Sequence, residues 1–177
     1  MGRSSNHPFY FHHGYLEQPE SGHSPEVDIG TIIKDEGLVV SDKTYSQEHS
    51  FFSLEAKRLP SPEKKREREY LVSHDDTPRG GVERFKRCIH GKELKYSAII
   101  GYIQGENFDY WIVKLNSWID QLIQDPDSMW HEDDKLVAGP KEHFYFQLLS
   151  DNPRYLKGTP VEKIKLFHFW INLVPSD

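Results

Sequence analysis

Apolar residues along this chain fall into short runs, and the period inside each run predicts an element. "HPFYFHHGYLE", from His7, is rich in aromatics and interrupted by Gly14, which predicts a first strand followed by a turn. "EVDIGTIIKDEG" alternates weakly from Glu26 to Ile33 before a turn signal, and predicts a second strand. "SFFSLEAKRL", Ser50 to Leu59, has no helical period and predicts a third strand, stopped by Pro60. Beyond it Ser61 can cap and Pro62 suits a first helical position, so the charged segment to Glu69 reads as a short solvated helix.

"HDDTPRGG" has the composition of a loop. Val82, Phe85 and Ile89 then stand at i, i+3 and i+7, an amphipathic helix whose other face carries Arg84 and Arg87. "YSAIIGYIQG" is short, apolar and bounded by glycine, a fourth strand. Trp111, Leu115, Trp118, Ile119 and Leu122 recur at helical spacing between Phe108 and Gln124, so the tryptophans read as core residues rather than base-stacking platforms. "PDSMWHEDDKLVAGPKE" is loop-like, and "HFYFQLLS" and "KIKLFHFWINL" close the chain as two aromatic strands separated by "DNPRYLKGTP". Strands and helices in this order predict an α/β or α+β fold, a mixed sheet with helices packed on it, in one domain over residues 1–177.

Composition narrows the function classes. With 36% hydrophobic and 28% charged residues the chain is of globular type. No apolar run approaches the roughly 20 residues of a membrane span. The first residues lack the apolar core of a signal peptide, so a cytoplasmic protein with no membrane partner is expected. The net charge of −6 argues against a protein that coats nucleic acid non-specifically, because such binding is driven by phosphate neutralisation. Positive charge is nonetheless concentrated locally, at Lys57, Arg58, Lys64, Lys65, Arg66 and Arg68, and again at Arg84, Lys86 and Arg87. Cys88 is the single cysteine, a packed helix thiol rather than a nucleophile, and it leaves no internal disulfide and no Cys-based zinc site. His12 and His13 are adjacent on a strand, face opposite ways and make no zinc pair. There is no phosphate-cradling glycine loop.

Glu55 and Lys57 are the anomaly, since they interrupt an apolar strand. Side chains alternate along a strand at about 3.3 Å per residue, so the two project from one face with Phe51 and Ser53, while Phe52, Leu54 and Ala56 take the other. A strand end emerging into solvent is the plain alternative. Asp28, in the preceding strand, supplies a second acid that a hairpin could bring beside Glu55. Two carboxylates on neighbouring strands make a hard-oxygen site of the kind magnesium takes.

"PEVD", a strand-length interval and "FSLEAK" together resemble the PD-(D/E)xK motif of the restriction-endonuclease-like nuclease superfamily, and the order of elements over about residues 7–105 is similar to that superfamily's core. The helix and two strands that follow extend it. The resemblance implies a restriction-endonuclease-like mixed sheet flanked by helices, and a metal-dependent nuclease acting on nucleic acid, with DNA favoured over RNA, of the kind found in bacterial restriction, defence or repair. It implies Asp28, Glu55 and Lys57 as catalytic residues, and Asp28, Glu55 and the main-chain carbonyl of Ala56 as ligands of Mg2+, with Mn2+ as substitute. It implies Arg58, Lys64, Lys65, Arg84 and Arg87 as contacts to the phosphate backbone, with Gly80 and Gly81 placed to let a backbone approach. For Lys64 to Arg68 a salt-bridged solvated face stands beside that reading, since Glu63, Glu67 and Glu69 are interleaved.

Two features depart from the family pattern. The superfamily core usually begins with a helix able to supply another acid, and few residues precede the first strand here. Pro25 precedes Glu26 rather than Asp28, so the motif position is open to either acid; Asp28 is preferred, with Glu26 its neighbour on the same strand face. A truncated chain, a partner subunit or an inactive relative would each account for the missing helix. A catalytically silent module that binds nucleic acid or a protein is therefore the alternative function, and a homodimer would suit cutting two strands.

Overall fold

Strand β6 (Tyr96–Ile103) is buried along most of its length, and this one apolar run organises the sheet. Such a run suits a strand with parallel neighbours and covered faces. Its two neighbours, β5 (Phe52–Leu59) and β9 (Thr159–Asn172), both run parallel to it. The computed structural model describes residues 9–17, 26–34, 37–40, 42–46, 49–75 and 77–175. Outward from β5 lie β2 (Glu26–Ile33) and the edge strand β1 (Phe9–Leu16), each antiparallel to its neighbour. On the other side β8 (Tyr145–Leu156) and the edge strand β7 (Val137–Lys141) continue the sheet in antiparallel fashion. The result is a mixed seven-stranded sheet of order β1-β2-β5-β6-β9-β8-β7, and a separate hairpin of β3 (Leu38–Val40) and β4 (Lys43–Tyr45).

Helix α1 (Gly81–Lys86) lies in the crossover from β5 to β6, and α2 (Phe108–Ile123) follows β6. The side chain of Asn107 caps α2 by accepting from the Tyr110 amide at 2.8 Å, a contact worth about 1 kcal/mol. Trp111, Leu115, Trp118 and Ile119 of α2 are buried, in one cluster with Phe85 of α1 and Ile99, Ile103, Leu166 and Trp170 of the sheet. Both tryptophans are thus core residues. No helix among the described residues is long and apolar enough to cross a membrane.

Several elements depart from the sequence expectation. Gly14 does not end the first strand: it adopts φ +60° within β1, and pairing with β2 resumes at Tyr15. His7 and Pro25 lie outside the described residues. Lys64–Arg66 form only a 3-10 turn with Glu63 at its N-cap, and Ser61 caps nothing; its hydroxyl is buried without a hydrogen-bond partner among the described residues. Helix α1 stops after Lys86, because Cys88 turns to φ +54° and takes Ile89 out of the helical register. Cys88 is buried as expected, just past the helix rather than in it, and burial pushes its thiol up. "DNPRYL" is strand rather than separator: a bulge between Asn152 and Arg154 absorbs Pro153, and the reversal is the two-residue turn Lys157–Gly158, both at positive φ. The edge strand β7, which carries Pro140, was expected as loop, and the hairpin β3–β4 falls where the sequence predicted no element.

Candidate active site

The ladder between β2 and β5 runs only from Thr31–Phe52 to Ile29–Leu54. Beyond it the Ala56 amide finds the Asp28 carboxylate, whose Oδ2 accepts at 2.6 Å. A side chain thus replaces the missing rung, which draws Asp28 to the backbone between Glu55 and Lys57. Asp28 is exposed, whereas Glu55 is only 4% exposed.

Lys57 Nζ donates to Glu55 Oε1 at 2.9 Å, so the two side chains share a face as their spacing requires. Glu55 and Lys57 are not a strand end emerging into solvent. Ser53, on the same face, is fully buried and donates to Glu17 Oε1 at 2.7 Å. A buried carboxylate needs compensation. Arg84 Nη1 donates to Glu55 Oε1 at 3.3 Å and contacts His90 Nε2 at 3.0 Å, while Glu55 Oε2 lies 3.7 Å from His90 Nε2.

Helix α1 reaches this face through its glycines. A Cβ on Gly81 would sit 2.9 Å from the Tyr70 carbonyl and 3.3 Å from Lys57 Cε, and one on Gly80 would sit 2.4 Å from Val72 Cα. With no side chains there, the amides of Gly81, Val82 and Glu83 donate to the carbonyls of Glu69, Tyr70 and Leu71 at 2.9 to 3.1 Å. Those bonds satisfy donors that a helix start leaves open. Gly80 and Gly81 therefore let backbone approach backbone within the protein.

Of the residues expected at the site, Asp28 and Ala56 meet, Glu55 and Lys57 meet, and Arg84 joins Glu55. Arg84 is partly buried, and its Nε also donates to the Pro78 carbonyl at 3.4 Å. Arg58 is exposed and lines a cleft of about 340 Å³ with Asp28, Ala56, Lys57, Arg66 and Tyr102. Lys64 and Lys65 sit on the 3-10 turn, with Lys65 on Glu63 at 3.1 Å and Arg66 held by Glu69 at 2.6 Å. That segment is a salt-bridged face. Arg87, at the C-cap of α1, pairs with Glu83 at 2.9 Å. Glu26 lies over Gly14, its Oε1 2.7 Å from where a Cβ would stand.

Glu17 and His90 went unrecognised in the sequence. Glu17 follows β1, and its carboxylate accepts the Gly91 amide at 2.9 and 3.0 Å and lies 3.3 Å from His90 Nδ1. No local pattern marks either residue; the position of His90 between a helix end and a glycine was the one available signal.

Among the described residues no three His, Cys, Asp or Glu side chains group closely enough to hold a metal ion. The oxygen donors expected there are Asp28, Glu55 and the Ala56 carbonyl, of which Asp28 and Ala56 line the cleft. They fit magnesium in kind, since that ion takes one or two carboxylates and keeps several waters. Compared with protein-family models, with curated proteins and with solved structures, this chain matches none of them.

Proposed function

We propose that this chain is a metal-dependent nuclease with a restriction-endonuclease-like fold that hydrolyses phosphodiester bonds in nucleic acid, DNA in preference to RNA. The observation that carries this reading is the junction of β2 and β5, where a buried Glu55–Lys57 pair flanks Ala56, whose amide Asp28 accepts. Asp28, Glu55 and the Ala56 carbonyl would hold Mg2+, or Mn2+ in its place. When bound, the ion polarises the scissile phosphate and lowers the pKa of a bound water.

The protein's own groups supply the rest. Lys57 carries a fixed positive charge beside the donors, suited to stabilising charge that develops on phosphoryl oxygens. Arginine would not replace it without changing the geometry. Arg58 and Lys57 line the cleft that opens at Asp28, and backbone phosphates bound there would be positioned without reading sequence. Lys64 stands outside as a further phosphate contact. Lys65 and Arg66 are already engaged by acids and contribute less.

A second reading, a silent module that binds nucleic acid or a protein, is favoured by one observation. Glu55 Oε1 already receives both Lys57 and Arg84, so the buried carboxylate is balanced by protein cations alone. The deciding experiment is cleavage of mixed DNA and RNA substrates with Mg2+ or Mn2+ by the unaltered chain, Glu55→Ala and Lys57→Ala, with folding checked by circular dichroism. Cleavage that is lost in both variants supports the nuclease. Retention of nucleic-acid binding with no cleavage by any of the three supports the silent module.

A further inference from the structure

Next to the Glu55–Lys57 pair lies a chain of polar groups to which the hydrolysis assigns no task. The Glu17, His90 and Glu55 side chains are 9%, 1% and 5% exposed. Glu17 is held by two hydrogen bonds that do not depend on Glu55, from the Ser53 hydroxyl at 2.7 Å and the Gly91 amide at 2.9 Å.

Hydrogen-bond polarity fixes the direction of the chain. An arginine nitrogen can only donate. Arg84 Nη1 at 3.0 Å therefore makes His90 Nε2 an acceptor, and the ring proton belongs on Nδ1, where it faces Glu17 Oε2 at 3.3 Å. In this tautomer His90 Nε2 and Glu55 Oε2, 3.7 Å apart, are two acceptors facing each other. Only the Arg84 guanidinium, shared between Glu55 Oε1 and His90 Nε2, makes that approach favourable.

We propose that Glu17, His90 and Arg84 act in series as positioning residues that fix the Glu55 carboxylate for hydrolysis, an inference that rests on the nuclease reading. Glu17 sets the imidazole tautomer, the imidazole orients Arg84, and Arg84 with Lys57 pins one oxygen of Glu55. Arg84 is thereby a positioning residue rather than a phosphate contact. Its cation is engaged by Glu55 and His90, with 27% of the side chain still exposed.

Two measurements test this. Long-range proton–nitrogen NMR on the folded, unaltered protein reads the His90 tautomer directly: a proton on Nδ1 is expected, and a proton on Nε2 alone overturns the series. Titration with Mn2+ followed by electron paramagnetic resonance, without nucleic acid, then compares the unaltered protein with His90→Asn, which keeps a donor for Glu17 and removes the acceptor for Arg84. Affinity is expected to fall by about 10-fold or more, the usual effect of losing an outer-shell partner. Equal affinity in a folded variant overturns the inference and leaves the nuclease reading intact. An unaltered protein that takes up no Mn2+ sinks the nuclease reading and this inference with it. If His90→Asn fails to fold, the tautomer decides.

Discussion

Asp28 Oδ2 accepts the Ala56 amide across 2.6 Å at the point where β2 and β5 part. One carboxylate thus does the work of a ladder rung and stands beside the backbone of a proposed metal site. The two roles separate by substitution. Asp28→Asn keeps a side-chain oxygen for the amide, whereas Asp28→Ala leaves the amide to water. Thermal unfolding should place the asparagine variant close to the unaltered protein and the alanine variant about 1 kcal/mol below it. Metal-dependent cleavage should be lost in both, because an amide is a poor substitute for a metal-binding carboxylate. Full cleavage by Asp28→Asn would remove Asp28 from the ligand set.

Under the sheet, His168 sits in a fully buried polar chain of a different kind. Trp170 Nε1 donates to the Tyr70 hydroxyl at 2.9 Å, the hydroxyl meets His168 Nδ1 at 2.8 Å, and His168 Nε2 meets Ser150 Oγ at 2.9 Å. Burial pushes the His168 imidazole down to about 3. The unfolded chain therefore binds a proton that the folded chain refuses as pH falls below the ordinary histidine value near 6.5. Stability contributed by this residue is complete above about pH 6.5 and declines from there towards pH 3, by up to about 1.4 kcal/mol per pH unit. Urea midpoints from pH 7 to pH 4 should show the slope, and His168→Gln should flatten it. An unchanged slope in the variant would assign the acid sensitivity to other groups.

The site was legible where its geometry is local. Two residues along a strand fix a shared face, so Glu55 and Lys57 could be paired from sequence, and Asp28 followed from the assumption of a hairpin between consecutive strands. Helix α2 was legible because its sixteen residues hold one period throughout. Glu17 and His90 were not, because their contact joins residues 73 apart, and its geometry depends on the bend after β1 and on Cys88 leaving the helical region. The same turn misplaced Ile89. Three-residue strands such as β3 and β4 carry too few positions for a period to show, and Pro140 in β7 is tolerated only because that strand lies at an edge. The contact of Arg84 with Glu55 was invisible because charge alone does not say which partner is buried.

Helix α1 brings Arg84 to Glu55, and two residues later it is anchored by the Lys86–Asp134 pair. Lys86 Nζ donates to both Asp134 oxygens at 2.6 and 2.7 Å and to the Pro153 carbonyl at 3.0 Å, with neither side chain exposed. Burial pushes the Lys86 ammonium down and the Asp134 carboxyl up, and each charge opposes the shift of the other. Removing one partner strands a buried charge, so Lys86→Met should cost about 3–5 kcal/mol by urea denaturation. Lys86→Met with Asp134→Asn removes the charge but keeps an acceptor for the His131 amide, which now donates to Asp134 at 2.7 Å. The double variant should recover most of the loss, and with it the seating of α1 and any cleavage that the single variant loses. A double variant no more stable than the single one would mean that the Pro153 contact and the lysine stem, rather than charge balance, hold the helix in place.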